Sequence, residues 1–362
     1  MRLAPRADLS YGNTRLRARR GELLRGADYE RLIGEDVPGL LETLQRTPYA
    51  PDVEAAERGD GLRRLHEAIR SNVGRSLEEM RTFYAGRARE LVDVLLSRFD
   101  IQNIVSVLRA KARAQQPAEG AAVVLVSAGW LVEPLAGELL RQRELAGAVD
   151  LLARSTPDRD QAQALRAAFS EYERTEDLAA LERAVVADHA ARGAATLAAA
   201  RRDGSMLLRF TAREVDERNL LAALRLRDAL AGGAAAAPPE DTLLPGGSVP
   251  PAGFEAAVHA SAPNAVVGAL GRVGREAWRA PLARWATTGD LTALERELER
   301  RRIADATALF AAGDPLSIDV PLAFTAAKLA EARNLRLLGE AGFRRIASDV
   351  VRRELLLPGV RA

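Results

Sequence analysis

Three asparagines recur along this chain at a near-constant distance, and that spacing restricts the fold more than any other feature. Asn103, Asn219 and Asn334 lie 116 and then 115 residues apart, in QNIVSVLR (102–109), ERNLLAALR (217–225) and ARNLRLLG (332–339). Each stands directly before an apolar run that reads as helix. A second anchor tests the repeat upstream: GLRRLHEAI (61–69), DLAALERAV (177–185) and DLTALEREL (290–298). Leu62 precedes Asn103 by 41 residues, Leu178 precedes Asn219 by 41, and Leu291 precedes Asn334 by 43. Two anchors at matching separation in all three copies identify one unit written three times.

Weaker correspondences agree. LQRTP (44–48) resembles LARSTP (152–157), and VSAGWLVEP (126–134) resembles LPGGSVPP (244–251), with Gly129 and Gly247 lying 26 and 28 residues past their asparagines. Composition turns loop-like at QQPAEG (115–120) and across 231–251, which is rich in alanine, glycine and proline. These breaks put domain boundaries at 1–116, 117–236 and 237–362. The period is too long for a solenoid, whose units run about 20–50 residues and cannot bury a core alone. Three similar domains in series pack most simply around a pseudo-threefold axis.

The fold class is all-α. Alanine, leucine, arginine and glutamate dominate, aromatics are only 4%, and these common residues lose little rotamer freedom in a helix. GDLTALERELERR carries an aspartate suited to an N-cap and leucines at 291, 294 and 298 on one stripe. Ser76, before two glutamates in GRSLEEMRTFYAGRARELVDVLLSRF (74–99), predicts another helix start. The valine-rich stretch 123–126 is the one candidate strand.

Charge says little about partners. Net charge is +2 although the pI is about 9.2, because nearly every cation is an arginine and arginine does not titrate below about pH 12. Lys111 and Lys328 are the two lysines. RLRARR (15–20) is a basic cluster near a helix start. It could meet an acidic partner, anionic lipid or nucleic acid, but a solvated helix face is the preferred reading, and no interleaved aromatics suggest base stacking.

Chemistry is hard to place. There are no cysteines, which excludes disulfides, thiolate zinc sites and thiol catalysis. His66, His189 and His259 are scattered, without the paired spacing of a metal site. A Walker loop needs GxxxxGK followed by serine or threonine, whereas Lys111 precedes Ala112 and Lys328 precedes Leu329. GALGRVG (268–274) is not a GxGxxG fingerprint. No histidine, serine–lysine pair or acidic dyad accompanies the repeated asparagine. The expectation for Asn103, Asn219 and Asn334 is therefore structural: amides partly buried between helices, bonded to a neighbouring carbonyl or arginine, fixing register. Left unpaired, each would cost about 1–3 kcal/mol. No catalytic residue, cofactor or metal is expected. The start of the chain lacks the apolar segment of a secretory signal, and the longest uncharged apolar stretch, AAVVLVSAGWLV (121–132), is shorter than the roughly 20 residues that span a bilayer.

SYGNTRLRARRGELLRGADYERLI (10–33), LLETLQRTPY (40–49), FDIQNIVSVLRAKAR (99–113) and DPLSIDVPLAFTAAKLAEARNLRLL (314–338) resemble the C subunit of bacterial and archaeal V/A-type ATPases and ATP synthases, a relative of the d subunit of the eukaryotic V-ATPase. The resemblance runs to VVRREL (350–355) and implies a funnel-shaped, all-helical protein of three domains. It implies a non-catalytic rotor subunit, one copy per complex rather than a homo-oligomer, on the cytoplasmic face of the membrane. Its implied partners are central shaft subunits of the D and F type and the proteolipid rotor ring, with no nucleic acid. Gly339 and Glu340 depart from Leu108–Arg109 and Leu224–Arg225 of the other copies. The alternative is a free-standing helical scaffold that binds an acidic or nucleic-acid partner through its arginines.

Overall fold

The structure, a computed structural model, describes residues 7–56, 61–113, 125–132, 134–233, 242–270 and 275–357. These are helical with short connections, and no strand occurs among them. The order is α1 (Ser10–Arg19), a 3-10 turn (Arg20–Glu22), α2 (Gly26–Leu32), α3 (Val37–Leu44), α4 (Ala50–Ala55), α5 (Gly61–Thr82) and α6 (Gly86–Arg113). Then come α7 (Leu135–Arg141), α8 (Leu145–Ser155), α9 (Arg159–Thr175), α10 (Leu178–Ala199) and α11 (Ser205–Ala231). The remainder is α12 (Pro251–Val258), α13 (Pro263–Ala269), α14 (Arg275–Thr288), α15 (Leu291–Ala312), α16 (Asp319–Arg344) and α17 (Ser348–Glu354).

Packing groups the chain into two compact units. The first comprises Met1–Asn103, Val124–Glu138 and Ile303–Ala362; the second comprises Ile104–Val123 and Leu139–Arg302. In the first unit α16 is the central element. It is buried along nearly its whole length, from Asp319 to Ala341. Its many alanines (323, 326, 327, 330 and 332) let neighbours approach from several sides, as a helix buried all round its first half requires. α1, α3, α5 and α17 pack on it, so the beginning and the end of the chain share one core. α5 meets it with a stripe of Leu65, Ile69, Val73, Leu77 and Met80, all buried, at the three- and four-residue spacing of one helix face.

In the second unit α9 packs between α8 and α10, α10 also touches α11, and α11 packs on α12. Leu220, Leu224, Phe254, Trp278, Trp285, Leu294 and Leu298 belong to one buried cluster there. Asp177 caps α10 by accepting the Ala180 N–H, and Asp290 accepts the Ala293 N–H at 2.9 Å at the start of α15. Each satisfies an orphan donor of a first turn.

Two expectations fail. No helix starts at Ser76, because the apolar stripe of α5 runs through it without interruption to Met80, and the chain turns at 83–85 instead. The candidate strand is not formed where it is described: Val123 and Val124 lie outside the described residues, and Leu125 and Val126 belong to no strand. The Val126 backbone bonds a side chain instead, that of Asn103.

Candidate functional site: the asparagine clamps

The side-chain amides of Asn103, Asn219 and Asn334 make the same pair of bonds. Asn103 donates to the Val126 carbonyl at 2.9 Å and accepts the Val126 N–H at 3.0 Å. Asn219 does the same to Leu244, at 2.9 and 2.8 Å. Asn334 does so to Leu356, at 2.8 Å both ways. A primary amide presents a donor and an acceptor side by side, so it can mimic one rung of a sheet and hold a residue by both its backbone groups. All three asparagines are buried. The partner is a backbone carbonyl in every case, never an arginine; Arg218 instead donates to Glu214.

A second polar position accompanies the asparagine. Asp100, Asp216 and Glu331 each stand three residues before it, nearly one helical turn away and on the same side. Asp100 accepts the N–H groups of Trp130 (3.2 Å) and Leu131 (2.9 Å). Asp216 accepts those of Ser248 (2.6 Å) and Val249 (3.0 Å), and the Ser248 hydroxyl as well. Gly129 and Gly247 sit where a Cβ would overlap these carboxylates, so the backbone can come this close only without a side chain. Burial pushes the Asp100 carboxyl up to about 6, although the two backbone N–H donors pull the other way. Screening for histidines, serine–lysine pairs and acidic dyads overlooks this acid, yet the pattern D/E-x-x-N is present in all three copies.

The third copy divides this arrangement between the two chain ends. Asn334 holds Leu356 near the C-terminus, whereas Glu331 accepts the N–H of Leu24, near the N-terminus, at 2.6 Å. Two residues beyond Leu24 the chain enters α2, just as two residues beyond Val249 it enters α12. Glu331 is buried and also accepts the Tyr49 hydroxyl (2.7 Å) and Lys328 Nζ (2.5 Å). Lys328 lies over the Tyr49 ring, 4.3 Å from its centroid. Burial drives the Lys328 pKa down against the attraction of Glu331, and drives the Tyr49 pKa well up. Every polar atom of this cluster that could act chemically is committed to a structural bond.

Ion pairs link one copy to the next in a fixed order. Arg109, six residues past Asn103, grips Glu182 with two bonds of 2.7 and 2.6 Å. Arg225, six past Asn219, binds Glu295 at 2.7 Å. Glu182 and Glu295 each stand four residues beyond the upstream leucine anchor. The third copy carries Glu340 in place of the arginine, and the first copy carries His66 in place of the glutamate; His66 Nε2 and Glu340 Oε1 are 3.9 Å apart. The departure at 339–340 thus has a physical counterpart. Glu340 faces a base, and a Cβ on Gly339 would come within 2.5 Å of Leu65 Cδ2, so this helix crossing is too close for the leucine of the other copies.

Other sequence candidates yield no site. No group of three His, Asp or Glu side chains that could hold a metal occurs among the described residues. In GALGRVG, 268 and 269 fall in α13 and 271–274 lie outside the described residues. Among the described residues no helix is long and apolar enough to cross a membrane. The basic cluster divides: Arg19 pairs with Glu22 and Glu79, while Arg17 and Arg20 line a groove.

Known proteins match this sequence along nearly its whole length. The V-type ATP synthase C subunit of Thermus thermophilus is 29% identical over 351 residues, covering 97% of this chain and 99% of that one. The corresponding V-type protein of Deinococcus radiodurans is 27% identical over 354 residues, covering 96% and 91%. The A-type ATP synthase C subunit of Haloferax volcanii is 25% identical over 355 residues, covering 96% and 97%. The family model for the ATP synthase (C/AC39) subunit matches residues 12–354, and the chain belongs to that family of non-catalytic subunits of the V/A-type ATP synthase complex.

Proposed function

We propose that this subunit is the rotor adaptor of the complex, a socket that couples the central shaft to the membrane proteolipid ring during ion transport. The observation that carries this reading is the whole-length match to the C/AC39 family. The thrice-repeated clamp supports it mechanically. A part that transmits torque must not yield, and each clamp ties the segment after a long helix back onto that helix through the two hydrogen bonds of a buried asparagine. Close-packed helices add stiffness because their interiors hold little free volume. The three asparagines are structural positions in this reading.

The repeats form three domains, 1–116, 117–236 and 237–362, in a funnel around a pseudo-threefold axis. The cyclic order of the inter-repeat pairs, first to second, second to third and third to first, supports this. One copy of the chain sits on the cytoplasmic face of the membrane, binding shaft subunits of the D and F type above and the ring below. The test is a pull-down of the folded chain against purified shaft subunits and the detergent-solubilised ring from the same source. Binding to both is expected. Binding to neither overturns the adaptor reading and favours a free-standing scaffold.

A further inference from the structure

In the first two copies the residue held by asparagine and the residues held by the acid belong to one short run of chain: Val126 then Trp130–Leu131, and Leu244 then Ser248–Val249. In the third copy they are Leu356 and Leu24, and the chain is broken between them. A groove of about 910 Å³ opens at this seam, with Leu23, Leu24, Phe310, Ala311 and Leu357 along its walls. Arg17, Arg20 and Arg25 line it too.

These three arginines are exposed. Among the described residues none of them makes an ion pair with a carboxylate, although ion pairs serve many of the chain's other arginines, Arg19 among them. Two of them are nonetheless held in place. The Arg20 guanidinium lies over the Phe310 ring, 4.7 Å from its centroid, and Arg17 reaches the Phe310 carbonyl at 3.5 Å. Three like charges lining one apolar groove repel one another, and an occupant carrying carboxylates removes that repulsion while covering the leucines. Nucleic acid or a lipid headgroup would answer the charge but leave the Leu23, Leu24 and Leu357 side chains uncovered.

We infer that the seam groove is a docking site for an acidic, amphipathic segment of one partner protein, its carboxylates on the arginines and its apolar side against Leu23, Leu24 and Leu357. Resting on the adaptor reading, the partner is a neighbouring subunit of the ATP synthase.

The test places benzoylphenylalanine at position 311 in place of Ala311, in the chain assembled in its native complex, and identifies the photo-cross-linked peptide by mass spectrometry. The expected result is one dominant cross-link, to a segment with acidic residues on one side of an apolar helical stripe. The variant R17E/R20E/R25E should lower its yield by about tenfold or more, and the milder R20Q/R25Q, which guards against misfolding, should lower it in the same direction. Five outcomes overturn the inference while leaving the adaptor reading intact: a yield indifferent to both variants, a cross-link to nucleic acid or lipid, one to a segment without carboxylates, one to residues 358–362 of the same chain, or none in a complex that retains the subunit. If the subunit is not found in the complex at all, both readings fall together.

Discussion

Replacing Asn334 by leucine isolates what one clamp contributes. Asn334 is fully buried and Leu356 is 3% exposed, so when the amide is removed neither backbone group of Leu356 gains water in exchange. An unpaired buried donor or acceptor costs about 1–3 kcal/mol. Two are orphaned here, and the added apolar side chain returns about 1 kcal/mol, which leaves an expected loss of about 3 kcal/mol. Leu244, the partner of Asn219, is only half-buried. Water can reach its freed groups, and Asn219→Leu should cost about half as much. Hydrogen exchange reads the effect locally, since the Leu356 amide is donated to the replaced side chain. A loss of about 3 kcal/mol accelerates its exchange by roughly a hundredfold, and the midpoint of urea unfolding falls with it. Unchanged protection at Leu356, or an equal loss at the two sites, would refute the reasoning.

Three further outcomes are expected. Gly129→Ala and Gly247→Ala drive a methyl group into the Asp100 and Asp216 carboxylates and should each destabilise by about 1–3 kcal/mol, whereas Gly268→Ala, with open space around it, should stay within about 0.5 kcal/mol; equal effects in urea melts would contradict the close approach. Burial raises the Asp100 carboxyl from 3.8 to about 6, so between these values the folded chain binds the proton that the unfolded chain has lost, and stability falls as pH rises through that window. The stability of wild type minus that of Asp100→Asn should therefore decline by about 2–3 kcal/mol from pH 4 to 6.5, and a flat difference would sink the assignment. Double-mutant cycles should give the two-bond Arg109–Glu182 pair, whose glutamate side chain is 16% exposed, a coupling of about 0.5–1 kcal/mol, and the Arg225–Glu295 pair, 60% and 50% exposed, less than about 0.5 kcal/mol; the reverse order would show that burial does not govern these junctions.

The helical class and the repeat were legible because both rest on spacing, which a sequence displays directly. The asparagine could be singled out for the same reason. What it binds could not, since a backbone N–H and carbonyl look alike at every position and nothing in VLVSAG or LLPGGS names Val126 or Leu244 as the captured residue. The acid three residues upstream was legible and was hidden only by searching for groups that do chemistry. Ser76 misleads because a capping pattern on the surface of a helix costs nothing when packing on the opposite side carries the helix onward. Glu340 looks like decay of the repeat in a linear reading and becomes a partner once His66 is brought against it.

That inversion also bears on how the chain finds its own order. Three look-alike segments in one polypeptide invite exchange, in which a long helix settles against the wrong copy while the fold is forming. Had all three junctions used arginine against glutamate, every mismatched docking would have been electrostatically as good as the right one. With Glu340 on the last asparagine helix, docking onto Glu182 or Glu295 sets carboxylate against carboxylate, and bringing Arg109 or Arg225 to His66 leaves the arginine without a carboxylate. Each misplacement of the last asparagine helix therefore meets repulsion, the half of specificity that attraction alone cannot supply, whereas exchange of the two arginine helices carries no such penalty. One reversed pair thus works as an address label, marking which copy is last and sending it to the first.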